Sequence, residues 1–283
     1  MIDPADAHQL DSLLRKHRIE LKHRLGQNFL IDPDLRDAIA QSAELTPDDS
    51  VVEVGAGVGT LTLAIAPLCR ELIAVELDRK LIPALNDVLA EHRNVRVEET
   101  DILRFDFASA FPKGNEVIVG NIPYNLTGAL VRKLLDPPAR PRRLSLVVQE
   151  EVAERWTAAT GASLATVAVQ VFASARIVFT IPATAFMPPP RVNSALVVLD
   201  VRERPAVGVK DLARFLRLVE AVFQFRRKQL GGTLARLAGV AGPEASRRLS
   251  GLGIDPSRRP QTLSLPEWEA VYESFGARGM VNL

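Results

Sequence analysis

The sequence predicts a doubly wound α/β domain followed by a small all-helical one. Three observations carry this expectation. Short strand-like runs, mostly apolar, at 51–54, 72–75, 95–97, 117–119 and 144–148 alternate with helix-period segments, the pattern of a parallel sheet with helices on its faces. Glycines and polar residues gather at the C-terminal ends of those runs, where open α/β sheets bind ligands. After Pro205 only helical periodicity remains. The expected domains are therefore residues 1–204 and 205–283.

Composition narrows the class. The chain has 283 residues, 47% hydrophobic and 24% charged, as in a soluble globular protein. No run approaches the roughly 18 apolar residues of a membrane span. Residues 1–20 are charged and lack the apolar core of a signal peptide, so a cytoplasmic location is expected, with no membrane partner. One cysteine, Cys69, excludes an internal disulfide framework and a four-thiolate metal site, and its place at the end of an apolar helix marks it as core. His8, His17, His23 and His92 lie in polar segments without metal spacing, so no metal is expected. The net charge of +1 hides an asymmetry: residues 201–283 hold 14 Lys/Arg and 8 Asp/Glu, or +6, leaving −5 on the remainder. A basic end on an acidic body suits a polyanion.

Taken in order, residues 1–24 are polar, with a basic cluster of Lys16, His17, Arg18, Lys22, His23 and Arg24. Leu25-Gly26-Gln27-Asn28-Phe29-Leu30 reads as a loop poised before a helix, because Asp32-Pro33 looks like an N-cap with proline at the first helical position. The run 51–54 leads into Gly55-Ala56-Gly57-Val58-Gly59, where glycines permit a tight turn and close approach of a ligand. Run 72–75 ends in Glu76-Leu77-Asp78, and an acid about twenty residues past such glycines can take both ribose hydroxyls. A dinucleotide fingerprint would need glycine at Thr60. Glu53 also fits poorly beside a pyrophosphate. It suits a cationic end such as the amino group of S-adenosylmethionine, or else is a strand-end carboxylate held in a backbone network.

Residues 80–92 read as a helix and 95–98 as a short strand ending near Asp101, which either accepts from an adenine amine or caps a turn. Run 117–120 ends in Asn121-Ile122-Pro123-Tyr124. Asn offers donors and acceptors, Pro holds its carbonyl rigidly, and Tyr gives a flat face with a polar tip. Together they suit a planar base carrying an exocyclic amine; an Asn-Pro turn with Tyr124 as core is the plainer account. A helix at 127–135, a proline-rich loop at 136–143, a strand at 144–149 and a helix at 150–159 follow. Segments 167–172 and 195–199 look β-rich, and between them Pro188-Pro189-Pro190 stiffens the chain that carries Phe186 and Arg191. Residues 211–223 have helical period. Phe225-Arg226-Arg227-Lys228, Arg247-Arg248 and Arg258-Arg259 supply the basic charge, so Arg226, Arg227, Lys228, Arg247 and Arg248 are the expected contacts to a polyanion. Ser264-Leu265-Pro266-Glu267 starts a last helix with a capping box.

These landmarks resemble the KsgA-type rRNA adenine N6,N6-dimethyltransferase family. The matching motifs are Leu25-Gly26-Gln27-Asn28-Phe29-Leu30, the segment 53–59 with Leu61-Thr62, Val75-Glu76-Leu77-Asp78, Gly120-Asn121-Ile122-Pro123-Tyr124-Asn125, the segment 149–155, Phe186 through Ser194, and Phe225-Arg226-Arg227-Lys228. They run in the family's order over residues 22–265. The resemblance implies a Rossmann-like S-adenosylmethionine-dependent methyltransferase domain with a small helical domain. It implies dimethylation of two adjacent adenosines near the 3′ end of 16S small-subunit rRNA during ribosome assembly. The partner is then rRNA within an assembling 30S particle, met by a monomer. Carried over by position, Asn28, Leu30, Gly55, Glu76, Asp101 and Asn121 would contact the cofactor. Asn121, Pro123, Tyr124 and Phe186 would form the catalytic group, with Tyr124 and Phe186 on the two faces of the target base. The chain departs from the family at Ala162-Ser163, where Tyr-Gly is frequent ahead of a strand containing Gln170, at Ala56 in place of Pro, and at Gly231-Gly232.

Three other readings stand beside this one. An Erm-type large-subunit rRNA methyltransferase shares the cofactor motifs, but Gly26, the Gln149 segment and Arg258-Arg259-Pro260-Gln261-Thr262-Leu263 favour the small-subunit type. A non-catalytic RNA-binding assembly factor would not need Glu76, Asp101 and Asn121 together. A dehydrogenase is opposed by the glycine spacing.

Overall fold

Val51, Val52, Ile118, Val119, Leu144, Leu146 and Val148 are completely buried, as expected of strands covered on both faces. This computed structural model describes residues 2–21, 27–110, 116–123, 126–135 and 141–276. The elements begin with α1 (Ala7–Lys16), β1 (Phe29–Leu30), α2 (Pro33–Ser42), β2 (Ser50–Val54), α3 (Thr60–Ile65) and β3 (Glu71–Glu76). Next come α4 (Ile82–Val88), β4 (Val95–Glu99), α5 (Phe107–Ala110), β5 (Val117–Asn121), α6 (Thr127–Leu135), β6 (Arg143–Gln149) and α7 (Glu150–Thr157). The last are α8 (Leu164–Phe172), β7 (Ala173–Ile181), β8 (Phe186–Met187), β9 (Ser194–Val201), α9 (Leu212–Phe223), α10 (Leu230–Ala238), α11 (Gly242–Gly251) and α12 (Leu265–Val271).

Two compact units form. The first joins Met1–Glu154 with Ser174–Val201; the second joins Arg155–Ala173 with Arg202–Leu283. The expected boundary near 204 thus lies close to one crossing of the chain, but the second unit also takes in 155–173, which the sequence alone assigns to the first.

In the first unit a seven-stranded sheet has the order β4-β3-β2-β5-β6-β9-β7. β4, β3, β2, β5 and β6 are mutually parallel, and β9 runs antiparallel to β6. The chain works outward from β2 to β3 and β4, then returns to lay β5 on the other side of β2. That reversal opens a crevice beyond the C-terminal ends of β2 and β5. Gly120 lets these two strands approach closely, since a Cβ there would stand 2.6 Å from the Val54 carbonyl oxygen. α2 starts as expected: Asp32 Oδ1 accepts from the Leu35 N–H at 3.0 Å, with Pro33 in the first turn. α4 is shorter than the helix expected over 80–92. A separate two-stranded ribbon pairs Phe29 with Met187 and Leu30 with Phe186, so the segment read as a loop before α2 and the one ahead of the three prolines meet as strands.

The second unit is helical. Trp268, Phe172 and Phe215 are buried at its centre, with Phe223 and Trp268 rings 5.5 Å apart and Phe215 and Tyr272 edge to face at 5.7 Å. Segment 167–172, expected to be β-rich, is instead α8. Ser163 supplies its N-cap, accepting from the Thr166 N–H at 3.1 Å. The valines at 167, 169 and 171 favour strand by propensity and by alternation, but the Ser163 cap opens a helix that buries Val167, Ala168, Val169, Val171 and Phe172 alike. Gln170 therefore lies on a helix, donating to the Ala158 and Thr160 carbonyls at 2.9 and 3.2 Å.

Candidate active site at the sheet switch point

A cavity of about 200 Å³ lies over the crevice between β2 and β5. Asn28, Leu30, Gly55, Glu76, Asp101 and Asn121, all six positions expected to touch a cofactor, line it together with Glu53, Pro123 and Phe186. Gly55 has φ +72°, a conformation that a Cβ would strain. The turn it begins carries Gly57, whose N–H donates to Glu76 Oε2 at 2.8 Å. Glu76 Oε1 accepts from the Asp78 N–H at 2.7 Å. These bonds orient the carboxylate, while its burial raises its pKa.

Glu53 stands one strand away, 2% exposed. Burial, with the neighbouring Glu76 charge adding to it, pushes its carboxyl up to about 8; the Thr62 hydroxyl opposes part of that shift. Neither Glu53 Oε2 nor Thr62 Oγ1 has a hydrogen-bond partner of ordinary geometry. The backbone network imagined for Glu53 is therefore not what holds that oxygen. A buried carboxyl oxygen without a partner is costly unless another group completes it, and Glu53 is among the residues that line the cavity.

Asn121 ends β5 half-buried, and its Nδ2 donates to the Asn28 carbonyl at 2.9 Å. With the amide nitrogen so engaged, Oδ1 is the atom left to accept. The Pro123 carbonyl takes the Leu126 N–H at 2.9 Å, closing a turn into α6 and retaining one lone pair. Tyr124 lies outside the described residues. Phe186 is 3% exposed and packs in the core with Leu30, Ile39 and Val147, while also reaching the cavity wall. Asp101 lines the cavity, and its Oδ1 accepts from the Leu103 N–H at 2.9 Å, the turn-capping bond that the sequence allowed it.

Two contributions escaped sequence reading. Gln27 Nε2 donates to Asp78 Oδ2 at 2.8 Å, fastening the 27–30 strap to the end of β3. Both residues belong to motifs already singled out, so their place was signalled although their pairing was not. Lys133, on α6, donates to the Leu103 and Phe105 carbonyls, each at 2.7 Å, and no motif pointed to it.

In the second unit Arg226, Arg227 and Lys228 are exposed in the turn after α9, and Arg247 is exposed on α11. Arg248 differs: it pairs with Glu244 and lies 5.6 Å from the Phe275 ring centroid. Arg258 is likewise committed, to Glu267 at 2.5 Å. Among the described residues no group of three or more His, Cys, Asp or Glu side chains is placed to hold a metal, and no helix is long and apolar enough to cross a membrane.

The family profile described as Ribosomal RNA adenine dimethylase matches residues 18–272. A ribosomal RNA small subunit methyltransferase A from Pelotomaculum thermopropionicum is 41% identical, the match covering 97% of this chain and 98% of the relative. One of the same name from Shouchella clausii is 36% identical, covering 96% of each. Among solved structures, the 23S rRNA methyltransferase ErmE aligns with a TM-score of 0.68 at 28% identity, over 88% of this chain and 99% of that one. A dimethyladenosine transferase from Plasmodium falciparum aligns at 0.70 and 24%, over 88% and 98%, and so supports the fold. With a match that spans the glycine turn, the Asn121 segment and the basic turn after α9 alike, the chain belongs to the ribosomal RNA adenine dimethylase family.

Proposed function

We infer that this chain transfers methyl groups from S-adenosylmethionine to N6 of two adjacent adenosines near the 3′ end of 16S small-subunit rRNA, within an assembling 30S particle. The observation that carries this reading is the cavity shared by Glu53, Glu76 and Asp101 on one side and Asn121 and Pro123 on the other. The donor set fits the cofactor. Glu53 Oε2, buried and unpartnered, suits its ammonium group. Glu76 suits the ribose hydroxyls, Asp101 the adenine amine, and Asn28, Leu30 and Gly55 the remaining walls. When bound, the cofactor supplies a methyl group already activated on a sulfonium.

The weak partner is the adenine amine, whose lone pair is delocalised into the ring. Asn121 Oδ1 and the free lone pair of the Pro123 carbonyl accept its two hydrogens. That fixes the amine, favours a pyramidal nitrogen and aims the lone pair at the methyl, which is positioning plus electrostatics. Methyl transfer would leave the nitrogen positively charged, and that cation is acidic enough to pass its proton to water without a strong base. Tyr124 stacks on one face of the unstacked base, worth roughly 1–3 kcal/mol. Phe186, set in the core, supports the opposite wall. Arg226, Arg227, Lys228 and Arg247 hold the RNA backbone. The protein acts as a cytoplasmic monomer.

The small-subunit reading is preferred to a large-subunit one because relatives bearing the small-subunit name match at up to 41% identity over nearly the whole chain, against 28% for ErmE. Methyl-labelled cofactor, incubated with small subunits lacking the modification, is expected to label two neighbouring adenosines as dimethyl products by mass spectrometry. No label on the small subunits, whether or not 23S rRNA offered in a parallel reaction accepts it, would overturn the assignment.

A further inference from the structure

We propose that Lys133 is a positioning residue for the adenine end of the cofactor, holding the loop that carries Asp101 against α6. This rests on the reading that Asp101 accepts from the adenine amine.

The loop after β4 is held at both ends. Asp101 Oδ1 takes the Leu103 N–H at 2.9 Å, and the Asp101 carbonyl takes the Arg104 N–H at 2.7 Å. The Thr100 N–H ties the start of the loop to β3 through the Glu76 carbonyl at 3.1 Å, and Ile102 and Phe105 are buried. Lys133 fixes the later part of the loop to α6. Its ammonium donates to two carbonyls of the loop, Leu103 and Phe105, both at 2.7 Å, and lies 5.5 Å from the centroid of the Phe107 ring. A single charged donor with three hydrogens thereby joins three residues of the segment that follows Asp101. Burial lowers the Lys133 pKa, while the Asp101 and Asp106 carboxylates oppose that shift and favour the charged form.

The placement matters because of what lies at α6's other end. Leu126, just before α6, lines the cavity and gives its N–H to the Pro123 carbonyl at 2.9 Å. The same short helix thus begins at the group that receives the target amine and, through Lys133, holds the loop at the cofactor's adenine. Arginine could reach the carbonyls but presents a planar fork in place of a compact ammonium.

Nucleobase discrimination isolates this role from general stability. S-adenosylhomocysteine and S-inosylhomocysteine differ at the purine 6-position, where one carries the amine and the other a carbonyl. Calorimetric binding of both to the full chain is expected to favour the adenosyl ligand by about tenfold, the scale of one well-placed hydrogen bond with its mismatch penalty. Lys133→Met is expected to cut that ratio to about twofold, with adenosyl affinity reduced and inosyl affinity nearly kept; Lys133→Arg restores part of it. Should Lys133→Met fail to fold, Lys133→Gln, which retains a donor for one carbonyl, is expected to at least halve the ratio. A wild-type ratio near one overturns the Asp101 reading and this proposal with it. A wild-type preference that survives unchanged in a folded Lys133→Met or Lys133→Gln variant, or equal weakening for both ligands, overturns the proposal alone.

Discussion

Glu53 is chemically ordinary in sequence and unusual in place. Its pKa is raised from 4.5 to about 8, chiefly by burial. Between those values the folded protein holds a proton that the unfolded chain has released. Stability of the ligand-free protein should therefore fall as pH rises from about 4.5 to about 8, and Glu53→Gln should remove that part of the slope, measured by denaturant unfolding across the range. Binding a ligand ammonium requires the carboxylate. Affinity for S-adenosylmethionine should accordingly rise with pH up to about 8 in the wild type and lose that dependence in Glu53→Gln; a flat wild-type profile would contradict the pairing. Asn121 supplies the second residue-scale test. Asn121→Ala should lower methyl transfer by about a hundredfold or more. Removing its bond to the Asn28 carbonyl should cost only about 1 kcal/mol of stability. Unaltered turnover would remove Asn121 from the mechanism. The residue types at the strand ends were readable because functional polar groups interrupt apolar runs. Which atom of each was free was not, because Asn121 Nδ2 is engaged by a backbone carbonyl 93 residues away in sequence.

At the scale of elements, local signals were reliable where a cap and a period agreed. Asp32 before α2 and Ser264 before α12 accept the expected backbone N–H, and Asp211, read as the first residue of a helix, caps α9 in the same way. α8 failed because its two signals conflict: valines at alternate positions suggest a strand, and Ser163 opens a helix. Ser163→Ala should cost about 1 kcal/mol and loosen the second unit, detectable as faster amide exchange along Leu164–Phe172. The ribbon of β1 and β8 was illegible for another reason. Two-residue strands carry no period, and only the meeting of distant segments defines them. α12 shows the opposite case, in which sequence understated the anchoring. Glu267 completes the capping box through the Ser264 N–H at 2.8 Å and also receives Arg258 at 2.5 and 3.0 Å. Arg258 therefore contributes to structure, although its sequence neighbourhood looked like one more patch of RNA-binding charge. Glu267→Ala should destabilise by about 1–2 kcal/mol, discounted for partial exposure, as read by denaturant unfolding.

At the scale of the whole molecule, charge follows the division into units more closely than sequence suggested. With Arg155 counted in, the second unit carries 15 Lys/Arg against 8 Asp/Glu, a net of +7, and the first carries the balancing −6. The asymmetry was visible from composition; its partition was not, since residues 155–173 cross into the helical unit. Net charge alone also overstates the surface available to RNA. Arg248, though exposed, and Arg258 are paired with Glu244 and Glu267, whereas among the described residues Arg226, Arg227, Lys228 and Arg247 are exposed without an ion pair. This separates two kinds of basic residue by experiment. Replacing Arg226, Arg227 and Lys228 together by alanine should weaken binding of a small-subunit rRNA fragment. It should also reduce the slope of log affinity against log salt by about 2–3, at roughly 0.7–0.9 for each phosphate that the variant no longer neutralises. Melting temperature should hardly move, because these side chains are exposed and make no ion pair among the described residues. Arg258→Ala should do the reverse: lower stability through the orphaned Glu267 and leave the salt slope nearly intact. Equal salt slopes for the wild type and the triple variant would mean that the turn after α9 does not meet phosphate.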